Sequence, residues 1–412
     1  MTLRDDWARP STALAVAGAM MPPLAAVAPL ALAPLLPIAA LVALALGGHR
    51  ELWRLLSVRP LVTLLLLLGL WGTTSAAWSI LPAHSFLEGL RFLAICAGGL
   101  VLLAVAGGLD GDERARVWHA FLGGFCLGLF LLVAAAIAHA LWHPQPGANA
   151  LARWLQRYTR FDRGATTMAL AVWPLSLGIV GRHKVVGLAA LLAATLIVVF
   201  AMASHAAMLA MLVALAVWPV AHLVPRTTTA VLGAALIALA AMLPAFPLSM
   251  GMVAHIHNAV PTLSGSIIHR LAIWHFAIGE IAQRPLLGWG LDAARALPGG
   301  SDLIEDPRVP ELARAGALWM PLHPHNAILQ WRLELGLPGA ALCTLVVLWL
   351  LSRLAGASRA ARSRGLALVA GALVVALVSY GFWQAWWQCS LWMTAALAVA
   401  LAEDEPPAAD ST

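Results

Sequence analysis

The chain contains apolar segments that are too long and too uniform for the interior of a soluble protein. Residues 61–70 are mostly leucine, and residues 188–203 contain no charged side chain. A helix that crosses the hydrocarbon core of a bilayer needs about 20 such residues. These segments do not alternate apolar and polar residues, as the strands of a membrane barrel do. The sequence therefore predicts an all-α polytopic integral membrane protein.

Charged side chains are sparse along the whole chain. Only 11% of the 412 residues are charged, whereas soluble domains average about 25%. A window of about 19 residues predicts about 12 transmembrane helices. They lie near residues 12–29, 31–47, 60–77, 86–106, 116–141, 165–181, 185–203, 206–223, 227–247, 327–351, 364–382 and 385–402.

The arginines between these helices predict the orientation of the chain. Arginines cluster in the loop after the second predicted helix and in the loop between the tenth and eleventh. The alternate short loops near residues 79–85 and 203–204 contain none. Because basic residues concentrate in cytoplasmic loops, we expect both termini in the cytoplasm. The basic residues are scattered in short loops and form no cluster that would indicate a nucleic-acid partner.

Two segments on the opposite side carry arginine against this rule. The first, residues 143–164, contains Arg153, Arg157, Arg160 and Arg163, whose spacing places them on one face of a helix. Such a helix can rest on anionic headgroups. It can equally bind a phosphate-bearing lipid, because the guanidinium fork matches phosphate oxygens. The two interpretations are compatible, and both stay open.

The second segment, residues 248–325, is the only long hydrophilic loop. Ser264 is a suitable N-cap for a helix over residues 267–283. That helix would place Arg270 and Trp274 on one face, one turn apart. Ionisable residues at a membrane boundary are functional candidates by default.

Where this loop re-enters the membrane, His323, His325 and Asn326 precede a predicted helix that contains Glu334. Glu88 and Arg91, three residues apart, can pair with each other or contact a substrate. The acidic residues of the long loop form no convincing metal cluster, and nucleotide-binding motifs are absent from the sequence. We therefore expect neither a metal nor another cofactor.

The residues around His325 resemble the signature of a known family. His325-Asn326, nine further residues, and then Gly336 and Gly339 resemble the motif of the O-antigen ligase and polymerase superfamily. Arg270 with Trp274, followed by the sequence PLLGWG at residues 285–290, resembles the large periplasmic loop of the same family. The chain departs from the family pattern at His205, where the family often has arginine after serine.

The resemblance implies a fold and a location. It implies a GT-C-like glycosyltransferase architecture in the bacterial inner membrane, with the active site facing the periplasm. Residues 1–247 would form helices 1–9, residues 248–325 a periplasmic loop domain, and residues 326–412 helices 10–12 with a cytoplasmic tail.

The resemblance also implies a reaction. Such proteins transfer a glycan from an undecaprenyl-pyrophosphate carrier to an acceptor, which for the ligases is the lipid A–core oligosaccharide. We expect an inverting, metal-independent transfer with His325 as general base and Arg163, Arg270 and Arg160 binding the pyrophosphate. Supporting roles are expected for Asn326, His323, Trp274, Glu334 and Arg91.

Three other functions remain open at this point. A polymerase of the same superfamily and a protein O-oligosaccharyltransferase differ from a ligase in the acceptor. A transporter or flippase of lipid-linked glycans belongs to a different class, and it would carry polar groups and broken helices near the bilayer midplane.

Overall fold

The computed structural model describes residues 8–142, 161–179, 181–260 and 262–402. These residues are mostly helical, and their β pairing is limited to a single bridge between Leu303 and Leu318. The α-helices of this part of the chain are α1 Ser11–Val27, α2 Leu32–Ala45, α3 Arg59–Thr74, α4 Pro82–Ala106, α5 Gly111–Trp142, α6 Asp162–Leu177, α7 Lys184–Ala201, α8 His205–Leu223, α9 Pro225–Met242, α10 Met250–Ala259, α11 Gly265–Gln283, α12 Pro310–Arg314, α13 Ala327–Ala355, α14 Arg359–Val378 and α15 Ala385–Leu401.

Each predicted transmembrane segment coincides with one of these helices, but the helices differ in length. Eight helical segments in the described residues are long and apolar enough to cross a bilayer: those of α3, α4, α5, α7, α8, α9, α13 and α14. Helices α1 and α2 are short partly because of proline: the α-helix is interrupted at Pro29, between them. The chain is a multi-pass membrane protein, and α1, α2, α6 and α15 are shorter than a full span requires.

The helices pack around α6, whose residues from Gly164 to Leu177 are all buried. Helix α1 packs most extensively against α5, and α14 against α8. Large apolar side chains such as Leu41, Leu141 and Ile197 point outward and are exposed. Apolar residues on both the inside and the outside of the bundle are expected where lipid replaces water around the protein.

Helix α13 is broken at Gly336, which adopts φ 64° and ψ −160°. The segment after α11 runs beside this break and pairs with it: the N–H groups of Trp289 and Gly290 donate to the carbonyls of Leu333 and Glu334, both at 2.9 Å. A Cβ on Gly336 would lie 2.0 Å from the carbonyl oxygen of Leu286. The glycines of the two sequence motifs therefore let two backbones approach each other closely.

The segment between α9 and α13 has a small core of its own. Met250, Val253, Ile268, Ile304 and Val309 belong to it. The helix expected over residues 267–283 is present as α11. Ser264 is its N-cap residue, but the predicted side-chain cap is wrong, because the Ser264 hydroxyl makes no capping hydrogen bond.

Two connections between helices meet this segment or the adjoining start of α13. The N–H of Ile80, between α3 and α4, lies 3.3 Å from the carbonyl oxygen of Trp289. The N–H of Phe382, between α14 and α15, donates to Gln330 Oε1 at 2.7 Å. These contacts build a polar end on an otherwise apolar bundle.

Candidate functional site

His325 lies in the turn that enters α13 and adopts a left-handed backbone conformation with φ 54°. Its Nδ1 atom makes a short hydrogen bond with the carbonyl oxygen of Ser379. Because a carbonyl can only accept, Nδ1 carries the proton and Nε2 keeps its lone pair. Burial, together with the smaller effect of the Arg270 charge, lowers the pKa of His325 to about 4, although the hydrogen bond to Ser379 acts in the opposite direction. The imidazole is therefore neutral near pH 7 and can accept a proton at Nε2.

Three of the predicted supporting residues shape the turn that holds His325. His323 Nδ1 accepts the N–H of His325 at 3.3 Å, and the two rings lie 4.3 Å apart. The Asn326 side chain caps α13 by accepting the N–H of Leu329 at 3.1 Å. Trp274 Nε1 donates to the carbonyl of Pro324 at 2.8 Å. Burial lowers the pKa of His323 to about 3, so this ring is neutral as well.

Arg270 lies on α11, one turn before Trp274, and its charge acts on both histidines. Burial lowers the pKa of Arg270 itself, while Asp162 and Tyr380 raise it. Its Nε atom is buried and has no hydrogen-bond partner within the described residues. The side chain as a whole is half-buried. A buried donor nitrogen without an acceptor is costly, and a bound anion would supply that acceptor.

Arg163 is the second residue of α6 and lies between two cavities. Its guanidinium is 5.5 Å from the ring centroid of Trp386. One cavity, of about 670 Å³, is lined mainly by apolar residues at the α1–α2 connection and by residues of α5 and Phe161. The other, of about 470 Å³, is polar. Arg163 lines both, so it stands where an apolar groove meets a polar pocket.

The polar cavity contains two ion pairs. Glu88 pairs with Arg91, as their spacing suggested, and Arg91 Nη2 also donates to the carbonyl of Trp383 at 2.9 Å. Asp292 accepts from Arg295 Nη2 at 2.6 Å and lies 2.9 Å from His84 Nε2. His323 also lines this cavity.

Comparison with known proteins adds a second line of evidence. A family model described as O-antigen ligase matches residues 188–344. Residues 188–344, called the ligase region below, are therefore similar to the O-antigen ligase family. The ligase region contains Arg270, His325 and Asp292, whereas Arg163 and Arg91 precede it.

The individual relatives match a similar part of the chain. A Rickettsia conorii protein named "Putative polysaccharide ligase" is 33% identical over 132 residues, which is 31% of this chain and 30% of that protein. A Rickettsia prowazekii protein of the same name is 35% identical over 130 residues, 31% of each chain. The matches thus span about a third of the length of these relatives.

Glu334 of the ligase region is completely buried, and both of its oxygens are used. They accept from the N–H groups of Asp292 at 2.9 Å and Ala294 at 3.3 Å, from Gln330 at 3.3 Å and from Trp383 Nε1 at 2.5 Å. Glu334 therefore holds Asp292 in position, and its carboxylate does not face the cavity.

The sequence did not single out His84 or Asp292, and it marked Arg295 only as one of several arginines in the long loop. His84 and Asp292 are 208 positions apart and belong to no shared motif. The one available signal was the position of Asp292, two residues after Gly290 of the ligase motif. Ser379 was also missed, because it contributes only a backbone carbonyl.

The side chains of His84, Glu88 and Asp292 have potential metal-ligand atoms within 4.8 Å of one another. Carboxylates and histidine are ligands that divalent cations accept. However, the guanidinium groups of Arg91 and Arg295 already neutralise these two carboxylates. The expectation that the protein needs no metal stays a prediction.

Two residues in the sequence predictions have a different status. Arg160, like Arg153 and Arg157, lies outside the described residues. His205, the departure from the family pattern, is exposed at the start of α8, beside the buried Ser204.

Proposed function

We propose that this protein is an O-antigen ligase of the bacterial inner membrane, with a GT-C-like architecture and cytoplasmic termini. It transfers a glycan from undecaprenyl pyrophosphate to the lipid A–core oligosaccharide at the periplasmic face. The observation that carries the proposal is the half-buried side chain of Arg270, whose buried Nε has no hydrogen-bond partner in the described residues, beside the His325 imidazole, whose Nε2 is free to accept a proton.

The two cavities that share Arg163 suit an amphiphilic donor. The polyprenyl tail occupies the apolar cavity, whose lining is apolar apart from Arg163 and His139. The pyrophosphate lies between Arg163 and Arg270, where bidentate guanidinium contacts hold its oxygens. The glycan then extends toward the polar cavity. Arg163 has no ion pair within the described residues, so its charge is available to the donor.

In the proposed reaction, an acceptor hydroxyl attacks the anomeric carbon of the donor. The new C–O bond forms as the bond to the pyrophosphate oxygen breaks, and the acceptor proton moves to Nε2 of His325. A single displacement of this kind inverts the anomeric configuration. Arg163 and Arg270 stabilise the negative charge that develops on the leaving group, which is commonly the largest catalytic contribution.

The low pKa of His325 is consistent with a base that gains strength in the substrate complex. In the free protein, burial and the charge of Arg270 both disfavour the imidazolium. A bound pyrophosphate offsets the charge of Arg270, and it therefore raises the proton affinity of Nε2. After His325 has taken the acceptor proton, its imidazolium forms an ion pair with the departing pyrophosphate.

The position of the site favours transfer chemistry over transport. A flippase would carry its polar groups near the middle of the membrane, but the groups around His325 lie where α13 begins. Polymerases and protein O-oligosaccharyltransferases would use the same chemistry on a different acceptor.

The decisive experiment supplies purified protein with a carrier-linked glycan and three separate acceptors: lipid A–core, a second carrier-linked repeat unit, and an acceptor protein. Transfer to lipid A–core alone is expected. Transfer to one of the other acceptors would replace the ligase assignment. No transfer to any acceptor, with the donor moved between leaflets of a vesicle, would make the protein a flippase.

Two variants test the assigned roles. His325→Ala should lower the transfer rate by about 10²–10⁴-fold, the usual contribution of a general base. The control is His255→Ala, which removes an exposed histidine of the same segment. Arg270→Lys keeps the charge but loses the fork, so a clear loss of activity is expected. Arg308→Lys, at an exposed arginine, is its control. Full activity of either test variant would overturn the role assigned to that residue.

The metal-independent chemistry has its own test. Transfer should persist after a chelator has removed divalent ions. Activity that disappears with the chelator and returns with Mg²⁺ or Mn²⁺ would contradict this part of the proposal. His84, Glu88 and Asp292 would then be the first residues to substitute.

A further inference from the structure

The polar cavity beside Arg163 has charged groups whose charges cancel. Arg91 pairs with Glu88, and Arg295 pairs with Asp292, so each guanidinium has a carboxylate partner. The only charged side chain lining this cavity without such a partner in the described residues is Arg163, at its border with the apolar cavity. Positive charge is therefore concentrated at one edge, and the rest of the pocket is polar but close to neutral.

The carboxylates and the guanidinium groups of these two ion pairs differ in exposure. The side chains of Glu88 and Asp292 are only 10% and 9% exposed, whereas those of Arg91 and Arg295 are 41% and 40% exposed. His84, which contacts Asp292, is 33% exposed. The carboxylates thus lie behind the guanidinium groups and fix their orientation. What the cavity offers to a ligand is a set of oriented N–H donors with acceptor oxygens behind them.

The backbone also holds this array rigidly. Asp292 has a left-handed conformation with φ 53°, and the buried Glu334 accepts its N–H at 2.9 Å. Arg91 is fixed a second time by the carbonyl of Trp383. Donors that are ordered before the ligand arrives cost less entropy on binding.

A neutral, rigid array of donors and acceptors suits sugar hydroxyls better than a second phosphate. A phosphate site requires excess positive charge, which this pocket has only at Arg163. A sugar ring presents several hydroxyls that both donate and accept, and carboxylate–arginine pairs can satisfy both. The volume of about 470 Å³ lies in the range of small-molecule sites, about 300–1,000 Å³.

We propose that the cavity formed by His84, Arg91, Asp292 and Arg295 is a subsite for a sugar ring that lies next to the pyrophosphate during transfer. This inference rests on the proposed function. The ring belongs either to the donor glycan or to the acceptor, and both present the same hydroxyl chemistry to the pocket. Glu88 and Glu334 act as positioning residues, because each holds another side chain or backbone group of the subsite.

The kinetic test measures transfer while one substrate is varied and the other is saturating. Arg295→Ala and His84→Ala should each raise the KM of one substrate about tenfold or more, the equivalent of about 1.4 kcal/mol of binding, with kcat much less affected. The substrate whose KM rises identifies the source of the ring. The matched control is Arg308→Ala, which breaks an arginine–aspartate pair of the same segment outside the cavity.

A second probe separates a sugar subsite from an anion site. Inorganic pyrophosphate should inhibit the wild-type protein and the Arg295→Ala variant equally, whereas Arg163→Gln should weaken that inhibition. Inhibition weakened equally by Arg295→Ala would show that the cavity binds anions, and the proposal would be wrong. Unchanged KM values for both substrates, or a fall in kcat alone, would also overturn it.

Binding measurements keep this inference distinct from the proposed function. Soluble core oligosaccharide and the free glycan are each titrated calorimetrically into the detergent-purified His325→Ala variant. This binding measurement does not depend on turnover. If the double variant with His325→Ala and Arg295→Ala no longer binds the sugar, the subsite is supported even if the wild type transfers nothing. No binding of either sugar by a folded protein contradicts it. Arg295→Lys and His84→Gln replace the alanine variants if thermal denaturation shows those to be unfolded.

Discussion

Substituting Gly336 by alanine should weaken the junction that carries the candidate site. The φ and ψ angles of Gly336, 64° and −160°, belong to a region that is essentially restricted to glycine, and other residues pay about 1–3 kcal/mol there. The new Cβ would also lie 2.0 Å from the Leu286 carbonyl oxygen and 2.4 Å from its carbon. These are backbone atoms, so the clash cannot be relieved by rotating a side chain.

The expected magnitude follows from what must move. Separating the two backbones breaks the hydrogen bond from the Leu337 N–H to the Leu286 carbonyl, which is 3.2 Å long and contributes about 1 kcal/mol. Together with the backbone conformation, this gives a destabilisation of about 2–4 kcal/mol. The shift also moves the segment that leads to Asp292, so transfer activity should fall along with stability.

The assay compares thermal denaturation in detergent with transfer activity for Gly336→Ala and for Gly233→Ala. Gly233 lies within α9, and a Cβ there meets only an ordinary contact, 3.4 Å from Leu348 Cδ2. Alanine should therefore be tolerated at Gly233 and should stabilise the helix interior by about 0.5–1 kcal/mol. If Gly336→Ala unfolds at the same temperature as the wild type and remains active, the reasoning about this junction is wrong.

Three further predictions concern the turn around His325. Because the pKa of His325 is lowered to about 4 in the free protein, the acid limb of kcat/KM should lie near pH 4; a limb near pH 6.5 would contradict the burial argument. Gly381→Ala should lower kcat, because a Cβ would stand 2.7 Å from His323 Cδ2 and would displace the ring that accepts the His325 N–H; unchanged kcat would show that His323 does not position His325. Asn326→Ala should destabilise the start of α13 by about 0.5–2 kcal/mol, whereas Asn326→Asp, which keeps the accepting oxygen, should restore most of that loss in a thermal-denaturation assay.

The helices could be predicted from the sequence because the bilayer imposes a simple rule on it. In lipid, the backbone N–H and C=O groups of an apolar segment such as residues 188–203 find their hydrogen-bond partners within a helix. Each predicted segment corresponds to a helix. The number of helices that are long enough to cross the membrane is harder to predict from the sequence. Helix α6 carries Asp162 and Arg163 at its start and is buried by its neighbours, a placement that hydropathy does not describe.

The turn around His325 could be predicted because its residues are close together in sequence. His323, His325 and Asn326 are neighbours, and Arg270 and Trp274 share one face of a helix that the sequence also indicates. The polar cavity could not be predicted, because His84 and Asp292 meet only through the fold. The sequence predicts only a supporting role for Glu334, whereas the partner that it supports, Asp292, is seen only in the fold.

The hydrogen bond between His325 and the Ser379 carbonyl has a consequence for engineering chimeras. Ser379 lies after α14, beyond the region that matches the ligase family, and Arg163 lies before that region. A graft of residues 188–344 into another membrane scaffold would carry the signature histidine without the carbonyl that selects its tautomer. A functional transplant would have to include α6 and the α14–α15 connection, so the minimal exchangeable unit of this chain extends well beyond its recognisable motif.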